Sequence, residues 1–374
     1  MMDVNRHERA WPSAQLAQLL YERVAEHYLP TARPVSVGVR VADAPELDCS
    51  FMLGERLTMS RTVAPADAVI TLTRRALTWA LAEPAAFDWR NAVFLRACNG
   101  CFHVDGETRF AHYWLQLLKR PEPAARVALD RARAVAPAAL ATVRATAMCD
   151  RAAMLDAVLC STPLHLQGVL DWPAVRWDSV EWDARYGDIV LREAAPGGDP
   201  LRLRDVLPKP DSSHDAGRGD RHGAVQPYTD GCLLPEKLAP LFALPGLPTD
   251  AFSAAQLWSG RRRDGFVTGL HCDIASSFLA QVYGRKKVRL FAPGQCDLLY
   301  VLGAFNSHQL CRVNADTPDL ARFPRFAQAT HADVILEPGD LLIVPTGWYH
   351  CTWALDDVLS VSRFMRDEVA QSLT

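Results

Sequence analysis

The chain has 374 residues, of which 49% are hydrophobic and 22% are charged, so wholesale disorder is excluded and a globular protein is indicated. This length is typical of two or three domains. Forty Lys and Arg residues against 43 Asp and Glu residues leave a net charge of −3. Nucleic-acid binding requires a surplus of cations to displace counterions, so we expect no nucleic acid among the partners.

Neither a membrane span nor a secretion signal is apparent. No apolar run approaches the roughly 18–20 residues of a membrane helix, and the first residues are charged rather than apolar. We therefore expect a soluble, cytoplasmic protein. The ten cysteines are scattered, which favours reduced thiols. The pair Cys98 and Cys101 encloses Asn-Gly, and we interpret it as a tight turn between two short strands.

The first 120 residues predict a small α/β domain, because apolar residues with helical spacing alternate with short β-rich runs. The expected helices cover residues 13–27, 73–81 and 109–118, and the expected strands cover residues 35–41, 50–53, 57–60 and 68–72.

Two stretches of this domain resemble the sterol-carrier-protein fold. They are residues 68–73 (AVITLT), which run into a helix, and residues 102–106 (FHVDG), which precede another. The resemblance implies an apolar pocket for an acyl or other lipophilic group. The alternative is a structural or dimerisation domain of similar topology.

A helical linker is expected over residues 121–160, where the chain is rich in Ala and Arg, and a third segment, residues 161–374, has the character of strands and loops. Residues 207–226 combine Pro, Gly, Ser, Asp and His with few apolar anchors, so we expect an exposed loop there.

The sequence Thr268-Gly-Leu-His271-Cys-Asp273 contains the first candidate metal ligands. In a strand, residues i and i+2 point to the same side, so His271 and Asp273 present a nitrogen and an oxygen to one point. Alone, such a pair is common among ordinary surface residues. About 80 residues later, His350 lies in an apolar strand, where a hydrogen-bonded core histidine is the alternative. Together the three form the facial triad of non-haem Fe(II) oxygenases.

Further motifs, in the same order along the chain, resemble the cupin-like, JmjC-type 2-oxoglutarate oxygenases. The likeness covers residues 160–366, and its motifs are residues 172–177 (WPAVRW), 186–188 (YGD), 257–260 (LWSG), 278–293 (FLAQVYGRKKVRLFAP) and 359–364 (LSVSRF).

The resemblance implies that His271, Asp273 and His350 are the iron ligands and that Lys286 binds the distal carboxylate of 2-oxoglutarate. Thr268 matches a hydroxyl that contacts the same carboxylate, and Tyr228 is a weaker candidate for a phenol beside it. The neighbouring Lys287 has the opposite side-chain direction in a strand, so we expect it at the surface.

Two positions depart from the family pattern, which often has asparagine at both. Ser277 is expected to preserve a hydrogen bond at shorter reach. Arg363 either clamps a carboxylate of the cosubstrate or substrate, or points outward.

The expected architecture is α+β: a C-terminal double-stranded β-helix (jelly roll) preceded by linker helices and the small α/β domain. The resemblance implies Fe(II), 2-oxoglutarate and O2 as cofactor and cosubstrates, and hydroxylation of an amino-acid side chain in a peptide or protein, or of a small-molecule or carrier-bound metabolite. A cupin-fold metal enzyme without 2-oxoglutarate and a non-catalytic metal-binding module are the alternatives. Homodimerisation through the N-terminal domain is a further hypothesis.

Overall fold

The computed structural model describes residues 11–63, 65–89, 92–192, 199–207, 228–229, 231–260 and 265–374. Apart from Leu207, the expected exposed loop at 207–226 lies outside these residues. The chain divides into two compact units. Unit 1 comprises Met1–Arg126 together with Leu302–Gln309, and unit 2 comprises Val127–Val301 with Leu310–Thr374.

Unit 1 combines helices with a small sheet. Its helices and strands, in chain order, are α1 (Ser13–Glu26), β1 (Val35–Val41), β2 (Cys49–Leu53), β3 (Leu57–Ser60), β4 (Ala68–Leu72), α2 (Arg74–Ala82), α3 (Ala92–Ala97), β5 (His103–Gly106) and α4 (Thr108–Gln116).

The five strands of unit 1 follow the order β3-β2-β1-β4-β5, with β1 antiparallel to β2 and parallel to β4. Helix α1 forms because Leu16, Leu20 and Val24 recur every fourth residue, and all three are buried in the core of this unit. The Asn99-Gly100 turn is present, with both residues in the left-handed region, but it joins α3 to β5 rather than two strands.

Unit 2 contains the elements that form the C-terminal fold. Helix α5 (Pro123–Val135) leads into it, and the elements that follow, in chain order, are β6 (Arg144–Thr146), α6 (Arg151–Leu159), β7 (Leu164–Leu166), α7 (Ser179–Tyr186), β8 (Val190–Arg192), β9 (Leu201–Arg202), α8 (Leu203–Val206), β10 (Cys232–Leu233), β11 (Gln256–Gly260), β12 (Phe266–Asp273), β13 (Ser276–Tyr283), β14 (Lys286–Phe291), α9 (Cys296–Leu299), β15 (His308–Leu310), β16 (Ala332–Leu336), β17 (Leu341–Val344), β18 (Tyr349–Ala354), β19 (Val358–Met365) and α10 (Asp367–Leu373). The first two residues of β15 belong to unit 1.

Two largely antiparallel sheets face each other in unit 2. One has the order β10-β11-β19-β13-β17-β7-β6, and in the other β12, β18, β14 and β16 lie side by side in that order. Buried side chains from both sheets, among them Leu279, Leu342, Val288 and Leu336, form one apolar cluster between them. This arrangement is the double-stranded β-helix expected from the sequence, so the predicted α+β fold class is confirmed.

The outer face of the first sheet is also buried. Phe278, Ala280 and Ile343 on that face pack with residues of α6 and α7, such as Leu155 and Trp182. Alternate residues of β13 and β17 therefore point either to the interior between the sheets or to this outer layer.

The ten cysteines are all free thiols, as expected from their scattered positions. No helix in the described part of the chain combines the length and the apolar character that crossing a bilayer requires.

Candidate metal centre

Strands β12 and β18 bring the three candidate metal ligands together. His271 pairs with His350 across the two strands, and their ring centroids are 4.3 Å apart. The Nε2 atom of His271 lies 3.9 Å from Asp273 Oδ1, and Nε2 of His350 lies 3.7 Å from Asp273 Oδ2. One ligand atom from each of the three residues falls within 4.8 Å of the other two.

Backbone carbonyls orient both imidazole rings. Nδ1 of His271 is 2.9 Å from the carbonyl oxygen of Gly269, and Nδ1 of His350 is 3.0 Å from that of Trp348. A carbonyl only accepts hydrogen bonds, so each Nδ1 carries the proton and donates it. Each Nε2 therefore carries the lone pair that can bind a metal ion, and each faces Asp273.

Burial controls the protonation of these ligands. Burial, and then the neighbouring His271, lower the pKa of His350 to about 3, although its bond to Trp348 raises it. Burial raises the pKa of Asp273, and His271 partly opposes that effect. The neutral imidazole is the form that binds a metal. A metal cation would also balance the negative charge of the buried Asp273 carboxylate. The donor set of two imidazoles and one carboxylate therefore fits a divalent transition metal such as Fe(II), with further coordination positions open.

Two adjacent lysines of β14 lie in opposite environments. Lys286 is only 2% exposed and forms no ion pair with any residue that the structure describes. It shares the interior face of β14 with Val288. Lys287 points outward: its Nζ lies 3.8 Å from the ring centroid of Trp353 and 4.0 Å from Asp333 Oδ2. Lys286 therefore offers a buried positive charge to an anion between the sheets.

Two threonines border the same interior region. Thr268 of β12 is half-buried and pairs across the strands with Thr352 of β18. Thr352 pairs on its other side with Val288, two residues beyond Lys286. The sequence interpretation missed Thr352, although its spacing of two from His350 placed both on one face of a strand. The carboxylate site expected from the resemblance thus has two hydroxyls nearby rather than one.

The other two candidates on the interior side are Ser277 and Tyr228. Ser277 is buried, and it pairs with Val344, which belongs to the cluster between the sheets. Tyr228 is half-buried and forms an antiparallel bridge with Gly260 at the end of β11. Paired residues share a face, so both side chains are directed towards the interior between the sheets.

Arg363 lies on the opposite face, which favours the outward alternative over a role in binding a carboxylate of the cosubstrate. It pairs directly with Phe278, whose side chain packs in the outer layer rather than between the sheets. One guanidinium nitrogen donates a 3.2 Å hydrogen bond to the carbonyl of Phe242, which belongs to the same layer. Burial lowers the pKa of Arg363. Its side chain points away from the metal ligands, so the outward alternative describes it better.

Comparison with known proteins places this site in a known domain. Residues 224–370 match the family model described as a cupin-like domain, a range that includes both strands of the candidate ligands. Lysine-specific demethylase 8 of Xenopus tropicalis is 28% identical over 54% of this chain and 47% of its own length. tRNA wybutosine-synthesizing protein 5 of Danio rerio is 38% identical over 29% of this chain and 32% of its own.

A third relative is JmjC domain-containing protein D of Dictyostelium discoideum, 32% identical over 28% of this chain and 23% of its own length. The chain thus spans less than half the length of each of these relatives. The likeness to a cupin-like family and to JmjC-domain proteins agrees with the two facing sheets and with the cluster of two histidines and one aspartate. The C-terminal region of this chain is therefore similar to cupin-like domains and to JmjC-domain proteins.

Proposed function

We propose that the protein is an Fe(II)- and 2-oxoglutarate-dependent hydroxylase. The observation that carries this proposal is the combination of His271, Asp273 and His350 on one side of the interior with the buried ammonium of Lys286 on the neighbouring strand, which no described carboxylate pairs. A metal site alone is common to many cupin-like proteins. The additional buried cation requires an anion, and a 2-oxo diacid bound at the metal supplies one through its far carboxylate.

Each part of the chain has a distinct task in this proposal. His271, Asp273 and His350 hold the metal, and Lys286 with Thr268 orients the cosubstrate through its distal carboxylate, assisted by Ser277 and Tyr228 on the same interior side. When bound, Fe(II) and 2-oxoglutarate supply the chemistry by which O2 oxidises a C–H bond to an alcohol. The apolar cluster between the sheets limits the access of water to that site.

The two alternatives fit less well. A cupin-fold metal enzyme without 2-oxoglutarate needs no buried cation beside the metal, so Lys286 would be a costly residue without a role. A non-catalytic metal-binding module needs no open coordination positions, yet only three protein ligands are grouped among the described residues.

The proposed substrate is an amino-acid side chain of a peptide or protein, or a small-molecule or carrier-bound metabolite. Two of the relatives have names that point to lysine demethylation and to tRNA modification. The net charge of −3 gives this chain no general attraction for the phosphate backbone, so we favour a substrate that is not a nucleic acid.

Metal analysis tests the proposal first. We expect the purified protein to bind one Fe(II) per chain and His271→Ala and Asp273→Ala to lose it. His331→Ala is the matched control, because that histidine directly precedes β16 of the same sheet but lies outside the ligand group. Iron retained at full stoichiometry in both ligand variants would contradict the assignment. The second measurement is succinate release from 2-oxoglutarate, first alone and then with peptide and small-molecule candidates.

A further inference from the structure

A buried hydroxyl on β18 has no hydrogen-bond partner in the part of the chain that the structure describes. The Thr352 side chain is 5% exposed, and its Oγ1 forms no hydrogen bond within the described residues. Buried polar groups are almost always hydrogen-bonded, because water no longer compensates them after folding. Valine has nearly the same shape and would avoid this cost. The retention of a hydroxyl here therefore points to a ligand that accepts its hydrogen bond.

The neighbours of Thr352 indicate what that ligand carries. Thr352 is paired with Thr268 on one side and with Val288 on the other. Lys286 lies two residues before Val288 on the same face of β14, which makes it a diagonal neighbour of Thr352. An ammonium and two hydroxyls thus border one region between the sheets. Three donors of this kind match a carboxylate, whose two oxygens accept several hydrogen bonds.

We propose that Thr352 Oγ1 donates a hydrogen bond to the distal carboxylate of the cosubstrate and that Thr352 is a specificity residue for 2-oxo diacids. This inference rests on the proposed function. Lys286 supplies the charge, but an ammonium is a point charge with little directional preference. Hydroxyls on the two adjacent strands fix the orientation of the carboxylate plane, so a 2-oxo acid without a distal carboxylate gains nothing from Thr352.

The experiment measures binding rather than turnover. Full-length protein loaded with Mn(II) is titrated by calorimetry with N-oxalylglycine, an unreactive analogue that has both carboxylates, and with 2-oxobutyrate, which lacks the distal one. The variants are Thr352→Val, which removes only the hydroxyl, and Thr352→Ser, which retains it. Thermal melting of both variants verifies that they fold, and Thr352→Val is expected to melt at or above the wild-type temperature because it removes an uncompensated polar group.

We expect Thr352→Val to bind N-oxalylglycine roughly ten- to hundredfold more weakly than the wild type, because that is the typical contribution of a hydrogen bond to a charged group. We expect 2-oxobutyrate to bind that variant as it binds the wild type, and Thr352→Ser to bind N-oxalylglycine almost as tightly as the wild type. Unchanged N-oxalylglycine binding in a folded Thr352→Val protein would overturn this inference and leave the proposed function intact. Equal losses in the Val and Ser variants would also overturn it, because the methyl group would then be responsible. A wild-type protein that binds neither ligand would overturn the proposed function as well.

Discussion

Lys286 and Lys287 illustrate how one step along a strand changes the chemistry of a residue. Both lysines are on β14, but alternation directs the first between the sheets and the second against Trp353. An ammonium that is buried without a protein anion destabilises the fold unless a ligand compensates it. The position of Lys286 is therefore evidence for an anionic ligand, whereas the position of Lys287 is not.

This contrast gives the first prediction. Lys286→Met should weaken 2-oxoglutarate binding by about 2–5 kcal/mol, because the distal carboxylate would remain unpaired in a buried site. Lys287→Met is the matched control and should have little effect, since its ammonium is partly exposed and interacts with Asp333 and Trp353. Calorimetric titration of the Mn(II)-loaded proteins measures both. Equal effects would mean that the two faces of β14 are assigned the wrong way round.

The protonation of Lys286 gives a second prediction at this scale. Burial lowers the pKa of Lys286 to about 7 in the free protein. The bound carboxylate favours the ammonium and raises that pKa again, so cosubstrate binding takes up a proton above neutral pH. The affinity for 2-oxoglutarate should be greatest below about pH 7, where Lys286 is already protonated in the free protein. Above that pH it should fall by up to about tenfold per pH unit, until the pH reaches the raised pKa of Lys286 in the complex.

Titration of 2-oxoglutarate at several pH values measures this dependence. In Lys286→Met the dependence should be absent, because the titrating group is removed while the volume of the side chain is largely kept. A wild-type affinity that rises with pH would have the wrong sign and would exclude a charged Lys286 as the carboxylate partner.

At the scale of elements, the turn between β13 and β14 determines where β14 begins and therefore where Lys286, its first residue, lies. Gly284 adopts φ +65° there, and a Cβ at this position would overlap the carbonyl oxygen of Asp357. The substitution Gly284→Ala therefore combines backbone strain with a collision that only backbone movement relieves. We expect it to lower the free energy of unfolding by about 1–3 kcal/mol. Denaturant titration measures the change.

A second glycine of the same fold provides the control for this prediction. Gly269 lies in β12, and a Cβ built there meets no atom within 4 Å. Gly269→Ala should change the free energy of unfolding by no more than about 0.5 kcal/mol. It also keeps the carbonyl that accepts the hydrogen bond of His271. Equal destabilisation by both substitutions would show that the turn has no special role.

The elements also show which parts of the site could be predicted from the sequence. The spacing of His271 and Asp273 and the alternation of the two lysines are local, so period-two reasoning sufficed for them. Arg363 is different, because both faces of β19 are buried and burial alone does not identify the interior one. Its direction depends on the pairing with Phe278 in β13, a contact distant in sequence. Thr352 has a local signal, its spacing of two from His350, but it was missed because every residue of β18 is buried and a threonine there resembles ordinary core packing.

In the N-terminal part of the chain, the longer elements were predicted well and the short ones were not. The strand at residues 35–41 and the helix beginning at Ser13 were predicted closely, because both have several buried apolar residues at a regular spacing. Helix α3 has only six residues, Ala92–Ala97, which is too short for a helical period to be recognised. The turn after it was therefore expected between two strands. The resemblance to the sterol-carrier-protein fold stays a prediction.

At the scale of the whole molecule, the unexpected feature is that unit 1 is discontinuous. Leu302–Gln309 follows β14 and α9 of unit 2 in sequence but belongs to unit 1. Ala304 is buried in the core of unit 1, and its carbonyl accepts a 3.0 Å hydrogen bond from Gln116. No local pattern in eight residues predicts a contact with a partner almost 190 positions earlier. A fragment without the N-terminal residues would leave this segment without its core, so the role of unit 1 as a dimer contact or in substrate presentation is better tested in the intact chain.

Asn306 allows such a test. Its side-chain nitrogen donates a 2.7 Å hydrogen bond to the carbonyl of Phe87 within unit 1, and both residues are buried. Asn306→Ala leaves that carbonyl unpaired, which should lower the stability of unit 1 by about 1–3 kcal/mol. Ser307→Ala is the control, because that neighbouring side chain is exposed.

Amide hydrogen exchange of the intact protein separates the two units. In Asn306→Ala we expect faster exchange in β1, which belongs to unit 1, and unchanged exchange in β13 of unit 2. Metal binding should also persist, since the three candidate ligands all belong to unit 2. Equal acceleration in β1 and β13 would contradict independent stability and would mean that the two units unfold together. If only β1 is affected, the oligomeric state and the coupling of 2-oxoglutarate turnover to hydroxylation can be measured while unit 1 is selectively weakened.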